Sequence, residues 1–252
     1  MKSKAPDLSI FEKFNFKLKP VAIKFHLFKP EGITKLKKKL SICEMIREAQ
    51  KTEPFYAAID NFTCVEPILL GMAEGDPVFE SGHIGQSLHI FEEARANRRL
   101  YYEITKLEKN SVNYVALASL DKLTFTPDVL ILSANPTQLE IILRAMCFTT
   151  GKTWTSRGTP VIACSWLITY PYIRGEVNFI MTDVSHGMTA KQIFPSGTIL
   201  ISIPFDRINQ IIEGLEKIEW YPAMYKEGRD AHDRKFRETD ESLHKKLKAE
   251  KG

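Results

Sequence analysis

The sequence predicts an α/β or α+β protein, a mixed sheet flanked by helices around a single compact core. Three observations carry this expectation. Asp128 to Ser133 is an almost wholly apolar run of strand length, as a strand covered on both faces requires. Asn135-Pro136 follows at once, a helix start with Asn as the capping residue and Pro in the first turn. Leu139, Ile142, Leu143 and Met146 then repeat with helical spacing as far as Gly151, so strand and helix alternate within one short unit.

The remaining elements follow in order. Pro20 opens an apolar run, Val21 to Phe28, that reads as a strand and is stopped by Pro30 and Gly32. The basic stretch Lys35 to Lys39 reads as a solvated turn. Ser41 is a helix cap with Glu44 as its capping-box partner, and Ile42, Met45, Ile46 and Ala49 lie on one face of the helix that follows. Phe55 to Ile59 is a short strand, Asp60-Asn61 a turn, and Glu66 to Met72 a short helix. Ile84 to Leu100 has helical periodicity, and Tyr114 to Leu120 is a strand. Pro160 to Tyr170 reads as a helix that places Trp166 and Tyr170 on one face. Asn178 to Met181 and Thr198 to Pro204 are strands, and Ile208 to Ile218 is an amphipathic helix. From Tyr225 onward the chain is polar and charge-mixed, with Phe236, Leu243 and Leu247 as its main apolar anchors. These features divide the chain into an α/β domain over 1–222 and a charged tail over 223–252.

Composition narrows the classes. The chain has 252 residues, 44% hydrophobic and 26% charged, enough to bury a core. A formal net charge of +4, with acids interleaved among the bases, is too mild to argue for nucleic acid. No apolar run reaches the roughly 18–20 residues that cross a bilayer, and Met1 to Phe16 has no apolar leader segment. A cytoplasmic protein follows, in which Cys43, Cys64, Cys147 and Cys164 are reduced thiols rather than disulfides.

Common signatures of chemistry are missing: no glycine-rich dinucleotide or phosphate loop, no His-Glu-x-x-His, no Gly-x-Ser-x-Gly and no Cys-x-x-Cys. The six histidines are scattered. The helix start at Asn135 presents free amides suited to an anion, with Arg157 and Gly158 on the same edge if the chain returns there. The alternative is an ordinary capped helix.

Several blocks in order resemble one family. They are Pro20 to Phe25, then Cys43 in its amphipathic helix, then Cys64 ahead of Leu70-Gly71. Pro127 to Leu132 leads into Asn135-Pro136, Ala163-Cys164 follows Gly158, Gly175 and Asn178 come next, and Ile201 to Pro204 is last. From about Pro20 to Leu215 the chain is similar to the ArCR family, domain-of-unknown-function family 169. The resemblance brings no established activity. It implies that Cys43, Cys64 and Cys164 match family cysteines, whereas Cys147 does not. Asp183 stands where many members have a fourth cysteine.

Thiolates from distant positions bind soft or borderline metals and iron–sulfur clusters. One expectation is therefore a metalloprotein with Cys43, Cys64, Cys164 and Asp183 or His186 as ligands, in a redox or Lewis-acid role and served by a redox or enzyme partner. A second is a non-catalytic small-ligand-binding or accessory protein in which the cysteines pack as small hydrophobes and the pocket lies at the strand–helix edge near Asn135. A third is an enzyme with Cys64 or Cys164 as nucleophile.

Overall fold

The computed structural model describes residues 6–250. The first five residues, part of the stretch read as lacking an apolar leader, and the last two lie outside these. The chain divides into two units, Met1–Glu216 and Lys217–Gly252.

The first unit is an α/β structure on one seven-stranded mixed sheet. The strands are β1 (Leu18–His26), β2 (Thr34–Lys35), β3 (Phe55–Ala58), β4 (Tyr114–Ser119), β5 (Val129–Ala134), β6 (Asn178–Met181) and β7 (Ile199–Pro204), in spatial order β2-β3-β4-β1-β5-β7-β6. β2 pairs parallel to β3, and every other neighbouring pair is antiparallel. Pro20, which has no amide hydrogen, sits where the β1–β5 register slips between Leu18 and Val21. There the Lys19 carbonyl accepts instead from the Gln50 side chain, which also bonds Ser133 Oγ.

Strands β4, β5 and β7 are buried almost throughout, because both faces of the sheet are covered. On one face Val21, Ile23, Val115, Leu117, Val129, Ile131 and Leu200 join a cluster with Ile42, Met45, Ile46 and Ala49 of the Ile42–Ala49 helix. Trp166, Leu167 and Ile168 complete that cluster. The alternate residues Ala22, Ala116, Leu130, Leu132, Ile201 and Ile203 point the other way and are equally buried. That second face carries the Pro136–Cys147 helix, against β5 and β7. The Ile208–Lys217 helix meets this helix at Gly214, where an added Cβ would stand 2.3 Å from the Ala145 carbonyl oxygen. A glycine is required for so close a backbone approach.

Both capping boxes read from the sequence are formed, Ser41 with Glu44 and Asn135 with Gln138. Three local expectations are corrected. The helical pattern of Ile84 to Leu100 is two helices, His83–Ser87 and Ala94–Glu103, broken where His89 takes a positive φ of 53°. Lys35, expected in a solvated turn, is the second residue of a short exposed edge strand, Thr34–Lys35, while Lys37, Lys38 and Lys39 are exposed outside any strand. The stretch expected as a helix over Pro160 to Tyr170 contains a π-helix, Ser165–Thr169, continued by the α-helical turn Tyr170–Arg174.

The π-helix has a traceable cause. Pro171 offers no amide to the Leu167 carbonyl, which accepts from Ser202 Oγ of β7 instead. The Tyr170 amide reaches back to Ser165, five residues, so the Trp166 carbonyl is also freed, and Asn178 Nδ2 of β6 donates to it at 2.8 Å. The wide turn is thereby bonded to the sheet by two side chains.

In the second unit, the helix Arg229–Ala249 has no buried residue. Phe236, Leu243 and Leu247 are each more than half exposed.

Two outcomes follow. Gly214→Ala should destabilise the protein by roughly 1–3 kcal/mol despite its better helix propensity, because the methyl group meets backbone; urea denaturation reads this directly. Truncation after Gly228 should leave the melting temperature within about 2 °C of the full chain, since no residue of the helix is itself buried; a larger drop in differential scanning calorimetry contradicts that.

Candidate functional site, a cysteine-lined cavity

The Ser41–Glu44 box fixes the first turn of the Ile42–Ala49 helix and so the position of Cys43. Ser41 Oγ donates to Glu44 Oε2 at 2.6 Å, the Ser41 amide donates to the same oxygen at 2.8 Å, and Lys191 Nζ reaches it at 3.1 Å. A second local clamp positions Cys64. The buried Asn61 side chain donates to the Leu36 and Lys38 carbonyls at 2.8 and 3.0 Å and accepts from the Ala58 amide, while the Thr63 amide bonds the Leu40 carbonyl. Cys164 lies directly before the π-helix. Ile162, two residues earlier, has a φ of 57°, uncommon for a β-branched residue. Strain of this kind persists where surrounding structure holds it, often beside a binding site.

These three positions meet. Cys43, Cys64 and Cys164 line one cavity of about 450 Å³. Its other walls come from the helical segments His83–Ser87 and Ala94–Glu103 and from the Ser185–Lys191 turn. Most of the lining is apolar, including Phe79, Ile84, Leu88, Ile90, Ile162, Met188 and Ile193, with Lys191 and the exposed His186 among the polar members. Cys147 lies elsewhere, on the Pro136–Cys147 helix, its thiol donating to the Leu143 carbonyl at 2.9 Å.

Behind the thiols stands Glu66, wholly buried. Among the described residues neither of its carboxyl oxygens has a hydrogen-bond partner of ordinary geometry. The Cys164 thiol is the polar group that interacts with it. Burial lifts the Glu66 carboxyl from its ordinary 4.5 to about 7, against a smaller opposing effect of that thiol. The same desolvation, followed by the charge of Glu66, pushes Cys64 up to about 11. Amides of Glu66 and Ile42 directed at the Cys64 sulfur oppose the rise. Burial raises Cys43 and Cys164 well above the ordinary thiol range too, with neighbouring thiols and Glu66 adding to the shift. Four acids thus stand close together, Cys164 and Glu66 buried and Cys43 and Cys64 half-buried, and the Lys191 cation on the cavity wall is engaged by Glu44. Among the described residues, no three His, Cys, Asp or Glu side chains are arranged around a point that would hold a single metal ion.

The other expected site residues are placed apart. The Asp183 carboxylate accepts from Ser196 Oγ at 3.1 Å and from the Gly197 amide at 2.7 Å, closing the turn before β7. It does not line the cavity, although Ser185 and His186 do. Asn135 is occupied as the helix cap, its Oδ1 accepting from the Gln138 amide. Arg157 is bonded through its backbone to the Asn178 side chain, and its guanidinium lies over the Tyr170 ring. Asn178 pairs with Ser202 and Ser202 with Ile131, whereas the Asn135 helix starts beyond Ala134, which pairs with Ile199. Arg157 therefore approaches the opposite end of β6 from the one nearest Asn135, while Gly158 lies beside Ile180 further along the strand.

Glu66 was not singled out from the sequence. The signal was present: an acid inside Cys64-Val65-Glu66-Pro67-Ile68-Leu69-Leu70, with only apolar neighbours, is either exposed on a turn or buried for a reason.

Fold and site together define an α/β protein with a thiol-walled cavity on one face of its sheet. The chain belongs to the uncharacterised ArCR family, domain-of-unknown-function family 169, whose model matches residues 9–214. No curated protein matches the chain, and no solved structure does. Among the described residues no helix is long and apolar enough to cross a membrane.

The Glu66 shift has a testable sign. The folded, metal-free protein keeps a proton on Glu66 that the unfolded chain releases from about pH 4.5 upward. Its stability should therefore fall as pH rises from about 4.5 to 7, by at most roughly 3 kcal/mol, and level off above. Glu66→Gln removes this contribution. Denaturation at pH 5 and pH 8 should show a shallower pH dependence for the variant than for the parent; equal slopes would contradict the assignment.

Proposed function

We propose that this chain holds an iron–sulfur centre through the thiolates of Cys43, Cys64 and Cys164, in a redox or Lewis-acid role. One observation carries the reading: three thiols from separate segments converge beside a wholly buried carboxyl group whose one polar neighbour is the Cys164 thiol, with no hydrogen bond of ordinary geometry among the described residues. Buried acids without a counter-charge are costly. An iron core supplies positive charge beside Glu66, where the Lys191 cation of the wall is paired with Glu44, and it favours soft sulfur donors. The amides directed at the Cys64 sulfur fit the same use, because hydrogen bonds to ligating sulfurs help set cluster potentials.

Glu66 replaces Asp183 as the oxygen group beside the three thiols. With three thiolates bound, an iron atom without a protein sulfur would face the open cavity. A nucleophilic-thiol reading has less support: catalytic thiols are activated by a depressed pKa, and burial raises all three of these.

Protein purified without oxygen from iron-replete cells should contain iron and sulfide and absorb in the visible range. Cys64→Ser and Cys164→Ser should each lose most of the iron and the absorbance, because a harder oxygen holds soft iron poorly. Cys147→Ser should retain both. A colourless protein that stays iron-free after anaerobic reconstitution overturns the proposal. Loss of iron from Cys147→Ser but not from Cys164→Ser overturns the ligand set.

A further inference from the structure

The cavity is much larger than its thiol wall needs, and the opposite wall has its own chemistry. That wall is built from the His83–Ser87 and Ala94–Glu103 helices. Two glycines let them close on each other. A Cβ at Gly82, which has a φ of +82°, would lie 2.0 Å from the Ala94 carbonyl oxygen, and one at Gly85 would lie 2.7 Å from the Asn97 side-chain amide. This tight packing brings Asn97 to the cavity wall, where it is 2% exposed. Its Nδ2 donates to the Gly82 carbonyl at 3.1 Å. Its Oδ1 is buried and has no hydrogen-bond partner among the described residues. Phe79, Ile84, Leu88 and Ile90 make the wall apolar; Tyr101, one turn further along the same helix, also lines it, but its hydroxyl forms no hydrogen bond with Asn97 Oδ1.

A buried amide oxygen left unpaired costs free energy that a donor on a ligand recovers. We infer that the cavity takes a small apolar organic molecule bearing one hydroxyl or N–H donor, which bonds Asn97 Oδ1 while its hydrocarbon body lies against the apolar wall. About 450 Å³ is within the ordinary range for such sites. The inference rests on the cavity of the proposed site but not on the metal: Asn97 and the glycines around it belong to the wall facing the thiols. If the iron–sulfur reading also holds, the molecule sits between that centre and Asn97, which makes it a substrate candidate.

The test uses full-length metal-free protein, so its outcome is independent of the cluster. The probes are 4-propylphenol and 4-propylanisole, nearly equal in shape and differing in the donor. Calorimetric titration should show the phenol binding roughly tenfold tighter than the ether, the effect of one hydrogen bond to a buried acceptor. Asn97→Leu should bind the two alike, the preference having gone with the acceptor. Ile84→Trp, which puts a larger side chain on the cavity wall, should weaken binding of both probes; unchanged affinity for both overturns the placement in this cavity. Equal affinities for phenol and ether in the parent protein overturn the inference, and this comparison requires no variant to fold. So does binding of neither probe, or a preference retained by Asn97→Leu.

Discussion

The constraint that organises the molecule is burial of the central strands on both faces. With β4, β5 and β7 enclosed along nearly their whole length, each face needs a cover, and the two covers differ in kind. One is made of the long Pro136–Cys147 and Ile208–Lys217 helices, which touch backbone to backbone at Gly214 and Ala145. The other is pieced together from the Ile42–Ala49 helix, the π-helix and short helical segments. Short pieces leave chain ends facing inward, and between such ends a cavity persists without exposing the sheet. The cysteine-lined cavity lies on this second face because it is the face with gaps.

The π-helix is the joint between fold and site. A regular α-helix over the same residues would pair each carbonyl with the amide four residues on, and Pro171 cannot supply one. The chain widens instead, and Ser202 and Asn178 take up the freed carbonyls of Leu167 and Trp166. Those bonds pin the segment to β6 and β7, and they fix Cys164 at its start. The thiol's position is thus set by hydrogen bonds on the sheet rather than by contacts inside the cavity. A ligand there meets a sulfur held from behind, which lowers the reorganisation that binding would require.

What the sequence made legible were features with local physics. The Ser41–Glu44 and Asn135–Gln138 boxes are short-range hydrogen-bond patterns, and the apolar run of β5 follows from two-faced burial alone. The π-helix was not legible, because it depends on acceptors freed by Pro171 finding donors on strands far along the chain. The break at His89 was hidden for a related reason: apolar spacing continues across it while the chain reverses to let Asn97 meet Gly82. Within the site, the three cysteines stood out through a family resemblance, and the structure brings them to one cavity. Asp183 stands where the family resemblance places a cysteine, but its carboxylate is engaged with Ser196 and Gly197. Glu66 and Asn97 look ordinary as letters. They are notable only once burial and the lack of partners are known.

The cavity therefore has two poles of different chemistry. At one, three thiols lie in front of Glu66, which favours positive charge and soft electron-pair acceptors. At the other, Asn97 offers a single neutral acceptor in an apolar wall. A site that only retained a cluster would gain from closing the second pole with hydrocarbon, since an unpaired buried amide weakens the fold. Gly82 and Gly85 do the reverse, giving up side chains so that two helices can close and place that amide on the wall. The two poles thus differ in what they leave unsatisfied: a buried carboxyl group touched only by a thiol at one, and a neutral amide oxygen without a partner among the described residues at the other.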